Sequence, residues 1–236
     1  MHPTNNVTRH HRNKKPLAVV RPTSRRANWL DLAGLFSGEQ ECLASYLALE
    51  AAEVIGGAKP ANLLNLVDRQ LPCGRNLHLL WLNYGQQLLT QAGLAARELR
   101  RRDDGILLLI YHPARLTAYL ETPKVSNFLH HAGYRQPTGV EPILKELETR
   151  LLSGGFPHEI GAILGYPLKD VAGFMGWTRL PVTHQGPWKI YGDPRLSLDV
   201  IRACRGCRET MAERLRLGNS PYECLGQRPQ ADIFSM

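Results

Sequence analysis

Apolar positions recur at helical spacing from Glu39 to Ile55, and the pair Gly56-Gly57 then ends the pattern, so a first long helix is expected there. Lys59 to Val67 reads as a short successor opened by Pro60, and Leu77 to Gln91 as another helix stopped by Gly93. A charged helical turn is expected to continue to Arg102. The pattern then changes. Gly105 to Tyr111, GILLLIY, is a compact apolar run behind Asp103-Asp104 and has the length and composition of a strand. Helical spacing returns in Pro113 to Leu120, Val125 to His131 and Val140 to Leu152.

Phe156 to Phe174, FPHEIGAILGYPLKDVAGF, predicts a helical hairpin over residues 157–175. Pro157 suits a first helical position, and Glu159 falls where a carboxylate favours the positive end of a helix. Ile160, Ile163 and Leu164 form the apolar stripe. Gly165 can close the helix in a left-handed conformation, and Pro167 holds Tyr166 extended. A second helix begins near Leu168, with Val171, Phe174 and Met175 inward. Trp188 to Tyr191 is expected to be a second strand, with Trp188 and Ile190 in the core and Lys189 and Tyr191 on the other face. Asp193 should cap a long C-terminal helix running from Pro194 to about Leu217. Two strands among many helices predict a mainly helical α+β single domain, 31–217, with a small sheet and an irregular tail at 218–236.

Charge narrows the choice of partner. The formal net charge is +8, but Arg9, Arg12, Lys14, Lys15, Arg21, Arg25 and Arg26 supply +7 of it within residues 1–30, which contain no Asp or Glu. The basicity therefore belongs to a segment expected to be a disordered tail, capable of weak, salt-sensitive contact with nucleic acid; the body is nearly neutral. No apolar run has the length of a secretory signal core or a membrane span, and five cysteines without an export signal predict a cytoplasmic protein rather than a disulfide framework.

The combination of PHEIG, LGYP and WKIYGDP resembles a bacterial family of unknown function, numbered 3793, over roughly residues 39–217. Lys59-Pro60 with Asn62-Leu63, Tyr111, Gly133-Tyr134 and Cys207 also match the family's pattern. That pattern carries an Arg after the strand tyrosine and a Cys before the tryptophan, places taken here by His112 and His184. The resemblance implies no particular activity.

Candidate chemistry is read from single residues. His158-Glu159 lacks the second histidine of a zinc-protease motif, since residue 162 is Ala162, but His158 or Glu159 could serve as an acid-base group. Tyr111 and His112 lie at a strand's carboxyl end, where ligands are commonly received. Lys189, Tyr191 and Asp193 could receive an anionic ligand. Cys204-x-x-Cys207, with His184, is a candidate metal or redox-cofactor pair, although Ile201, Cys204, Cys207, Met211 and Leu215 also make one apolar stripe. The hairpin has the spacing of a helix-turn-helix, yet Leu168 to Trp177 offers only Lys169 and Asp170 as charges and no Arg, Asn or Gln to read a base. No phosphate-binding glycine loop or serine-hydrolase motif occurs. Three readings follow: a binding protein for a small anionic molecule or redox cofactor, an enzyme using the same residues with Lys189 as anion clamp, and a nucleic-acid-binding regulator.

Overall fold

A computed structural model describes residues 26–136 and 138–226 and the backbone of the short strand Ala18–Val19 (β1). Most of the expected basic tail lies outside the described residues. Its last part does not behave as a tail, because Trp29 is buried and donates its indole N–H to Ser45.

The elements follow in order: α1 Glu39–Glu50, α2 Ala52–Ile55, β2 Ala61–Val67, α3 Leu77–Leu80, a π-helical segment Trp81–Gly85, α4 Gln86–Gln91, β3 Ala95–Arg102 and β4 Gly105–Tyr111. Then come α5 Pro113–Leu120, α6 Pro123–His131, α7 Val140–Leu152, α8 Ile160–Ile163, α9 Leu168–Phe174, β5 Val182–Gln185, β6 Lys189–Tyr191, α10 Arg195–Arg216 and α11 Pro221–Leu225. The chain is a mainly helical α+β domain, as its hydrophobic pattern predicts.

The sheet at its centre has the order β2-β4-β3, antiparallel throughout. β4 is its middle strand, and its apolar run serves both faces. Ile106, Leu108 and Ile110 join a core with α1, α4, α10 and α11 on one side, whereas Leu109 joins α5 to α8 on the other. α1 is enclosed on nearly all sides, with Leu43, Ala44, Leu47, Ala48 and Leu49 fully buried, the condition in which a helix loses its polar face.

Two segments expected to be helical are strands. Ala61–Val67 pairs along its whole length with β4, and Ala95–Arg102 pairs on β4's other side with an irregularity between Glu98 and Arg100. Pairing with the apolar strand β4 outweighs local helix propensity, which is modest in ANLLNLV and high in AARELRRR. β3 carries its charges on the sheet edge, where they oppose pairing with another chain. The expected irregular C-terminal tail is also corrected in part: α11 packs on α1 with Cys224 and Leu225 buried, because α1 presents apolar surface on that side too. Residues 227–236 lie outside the described part.

A second, smaller sheet has the order β1-β5-β6, with β5 and β6 antiparallel and β1 joining in parallel at His184 and Gln185. It lies against α9 and supports the site described next.

Candidate functional site

The hairpin reverses at Gly165, whose φ of 81° is the left-handed value predicted for it. The Tyr166 amide then donates to the Gly161 carbonyl at 2.9 Å. Gly161 sits in a tight contact: a Cβ there would stand 3.1 Å from Val171 and 3.2 Å from the Tyr166 ring. The first helix is shorter than expected, since a tight turn closed by Ile160 N–H on the Pro157 carbonyl precedes α8.

Asp170 fastens the hairpin to the rest of the molecule. Its buried carboxylate accepts from Lys169 Nζ (2.7 Å), the Tyr191 amide (2.9 Å), Trp188 Nε1 (2.9 Å) and Ser197 Oγ (2.6 Å). Lys169 also donates to the Tyr191 carbonyl and to Ser197. The only charges in the candidate recognition helix are thus spent joining α9 to β6 and α10.

This fastening creates a cleft of about 180 Å³ between the hairpin and β6, lined by His158, Ile160, Leu164, Tyr166, Phe174, Trp188 and Lys189, with Gly161, Asp170 and Val171 completing the wall. Trp188 stacks on Tyr166 with ring centroids 4.7 Å apart and planes 20° apart. His158 meets the Phe174 ring edge-to-face at 4.9 Å. Trp188 is therefore a wall of the cleft rather than a core residue; Ile190 alone of that pair is fully buried. The His158 and Lys189 side chains are exposed at the cleft and make no hydrogen bond or ion pair among the described residues.

Of the other residues proposed from sequence as catalytic, ligand-binding or metal-holding, none lines this cleft. Glu159 is buried and accepts from Arg150 at 2.8 Å, while the Arg150 guanidinium lies 4.1 Å over the Tyr134 ring. Tyr111 packs with the α5–α8 core, where burial pushes its phenol above the ordinary range. His112 caps α5, its Nδ1 accepting from the Arg115 amide. The Tyr191 ring packs over Gly173, and Asp193 is engaged by Arg195, which holds its carboxyl down at about 2. His184 lies in β5 with Nδ1 buried and lacking a hydrogen-bond partner among the described residues. Cys204 and Cys207 lie in α10, and burial pushes the Cys204 thiol up to about 12 and raises that of Cys207. Cys207 packs on Gly56, where a Cβ would come within 2.4 Å of its sulfur. Among the described residues no group of three or more His, Cys, Asp or Glu is arranged to hold a metal ion.

A second polar cluster lies behind Tyr166. Lys59 is buried and donates to Asn62 Oδ1 at 2.6 Å, with Nζ 5.0 Å from the Tyr166 centroid. Asn62 in turn donates to the Glu50 carbonyl (2.7 Å) and to Glu53 Oε2 (3.2 Å). Burial lowers the Lys59 ammonium's pKa and raises that of the Glu53 carboxyl. Arg208, buried in α10, adds a bidentate pairing with Glu50 and bonds to the Leu49 and Ala27 carbonyls. Sequence reasoning assigned these residues no role. Lys59-Pro60 and Asn62 were visible as a short motif, but its polar partners come from distant segments.

The fold and site define the chain as a mainly helical α+β domain with an aromatic-lined cleft. The family model described as Protein of unknown function (DUF3793) matches residues 47–225, and the chain belongs to that family. No curated protein and no solved structure matches the chain. No helix among the described residues is long and apolar enough to cross a membrane.

Proposed function

We propose that this is a cytoplasmic binding protein for a small molecule that combines a flat apolar part with an anionic group. The observation that carries the reading is the meeting of His158 and Lys189, from separate segments, at one aromatic-lined cleft. A mostly apolar concavity with few polar groups is the common form of a ligand site. Its volume of about 180 Å³ suits a ring-sized group, since an apolar cavity of roughly 150 Å³ accommodates benzene. Tyr166, Trp188 and Phe174 supply faces and edges for a ring; Lys189 supplies a point charge on a flexible stem for its anionic substituent.

The enzyme alternative retains His158 as the acid-base candidate, because Glu159 is committed to Arg150. The regulator alternative would depend on residues 1–30, since Lys169 and Asp170 are engaged within the fold. Neither has an observation comparable to the cleft in its favour.

The test is titration with 2-naphthoate followed by NMR, with the Trp188 indole N–H as reporter. Saturable binding is expected, weakened about tenfold by Lys189→Ala, the loss of one charge-assisted contact. Native mass spectrometry of anaerobically purified protein complements it by revealing any ligand retained from the cell. Binding that is indifferent to both Lys189→Ala and Trp188→Ala would refute the assignment of the cleft.

A further inference from the structure

The wall of the cleft contains more polar residues than it offers to a ligand. Asp170 is fully used: Oδ1 accepts from Lys169 and the Tyr191 amide, and Oδ2 from Trp188 and Ser197, which fills both lone pairs of each oxygen. The indole N–H is the one donor Trp188 has, and it is the group given to Oδ2. The Tyr166 hydroxyl senses Glu53 and Cys204, which lie behind its ring, so it points out of the cleft. Ile160, Leu164, Val171 and Phe174 carry no polar side-chain atom. Among the described residues, the side-chain hydrogen-bonding capacity left in the wall is that of His158 and Lys189.

Both of those side chains are exposed, so the capacity lies at the mouth. An anionic group is provided for there, by the three donors of the Lys189 ammonium and by the imidazole of His158. Behind the mouth the wall is aliphatic and aromatic. A hydroxyl or amino group carried into that part gives up its water and meets no side chain to replace it, which costs free energy.

We propose that the cleft selects aromatic monocarboxylates whose rings carry no further polar group, and discriminates against their ring-hydroxylated counterparts. This selectivity rests on the binding function proposed above and gives its ligand a chemical class. The carboxylate stays at the mouth with Lys189, and the ring loses its water among Ile160, Leu164, Phe174 and Trp188. Because Asp170 and Trp188 hold each other, the two wall residues best equipped to recognise a hydroxyl are withdrawn from the ligand by the same contacts that fasten the hairpin. Discrimination of this kind is limited in size: an apolar pocket rejects an added hydroxyl by about tenfold to a hundredfold.

The experiment compares 2-naphthoate, 6-methyl-2-naphthoate and 6-hydroxy-2-naphthoate on the full wild-type chain, by NMR titration with the Trp188 indole N–H as reporter. The 6-substituent lies at the far end of the rings from the carboxylate, and methyl and hydroxyl are close in size, so the last two acids differ in polarity alone. The methyl acid is expected to bind at least about tenfold more tightly than the hydroxy acid. Equal affinity of these two overturns the selectivity and leaves the cleft as a ligand site. Binding of 2-naphthoate with failure of both substituted acids shows a limit of size and also overturns it. Absence of binding by all three acids overturns the binding function together with the selectivity.

Discussion

Asp170 shows how one side chain can matter through position rather than chemistry. Four donors, from α9, the residue before β6, the end of β6 and α10, converge on it, and it is only 2% exposed. Removing the carboxylate leaves the Lys169 ammonium without its anion and the Trp188 and Ser197 donors unsatisfied. Loss of one partner from a buried charged network costs about 3–5 kcal/mol. Asp170→Ala should therefore lower the urea midpoint by that equivalent and release the Trp188 indole from its place against Tyr166. Asp170→Asn, which keeps the shape and part of the bonding, should cost less. Equal stability of wild type and Asp170→Ala in urea titration would show that the network contributes nothing net. Lys59 is the opposite kind of residue: it has one acceptor where Lys169 has three, and its burial is a cost that the fold carries.

At the scale of elements, two helical glycines are expected to respond oppositely to the same change. In α9, a Cβ on Gly173 would fall 2.4 Å from the Tyr191 ring, so helix and strand approach as closely as a hydrogen allows. Gly173→Ala gains roughly 1 kcal/mol of helix propensity but forces the ring or the helix to move, and overpacking of this kind costs about 1–3 kcal/mol. A net loss of stability is expected, with weaker binding in the cleft behind it. Gly206 in α10 is exposed and has nothing within 4 Å of its Cβ position, so Gly206→Ala should raise the melting temperature. The same contrast explains what was legible in the sequence. Gly165 and the GILLLIY run are dictated locally, by a backbone angle and by burial on two faces, and both were readable. β2 and β3 were not, because ANLLNLV and AARELRRR become strands only through pairing with β4. The site was legible by half. His158 and Lys189 stood in recognisable motifs, whereas Glu159 was claimed by Arg150 from α7 and Trp188 was drawn outward by Asp170 and Tyr166. Those are tertiary events with no local signal.

Across the whole molecule, α1 sets the order of dependence. It is enclosed by the central sheet, by α10 and, at its remaining side, by α11, so no single layer is free to leave without exposing it. Arg208 strengthens the α10 contact by binding both the Leu49 carbonyl and Glu50 at the end of α1. Among the described residues α11 has no comparable bidentate clamp; it is held chiefly by Pro221, Cys224 and Leu225, all buried. Burying a leucine side chain is worth about 1.5–3 kcal/mol, and the smaller proline and cysteine add less each. Ending the chain after Leu217 should accordingly remove about 3–5 kcal/mol and open an apolar strip along α1. That is a large part of the 5–15 kcal/mol typical of a domain, roughly enough to move thermal unfolding by many degrees. Ending it after Gly226 keeps every one of these contacts and should melt several degrees above the shorter chain. If the two truncations melt together, α11 is dispensable and the domain closes at Leu217. If only the shorter one is destabilised, α11 belongs to the folding unit.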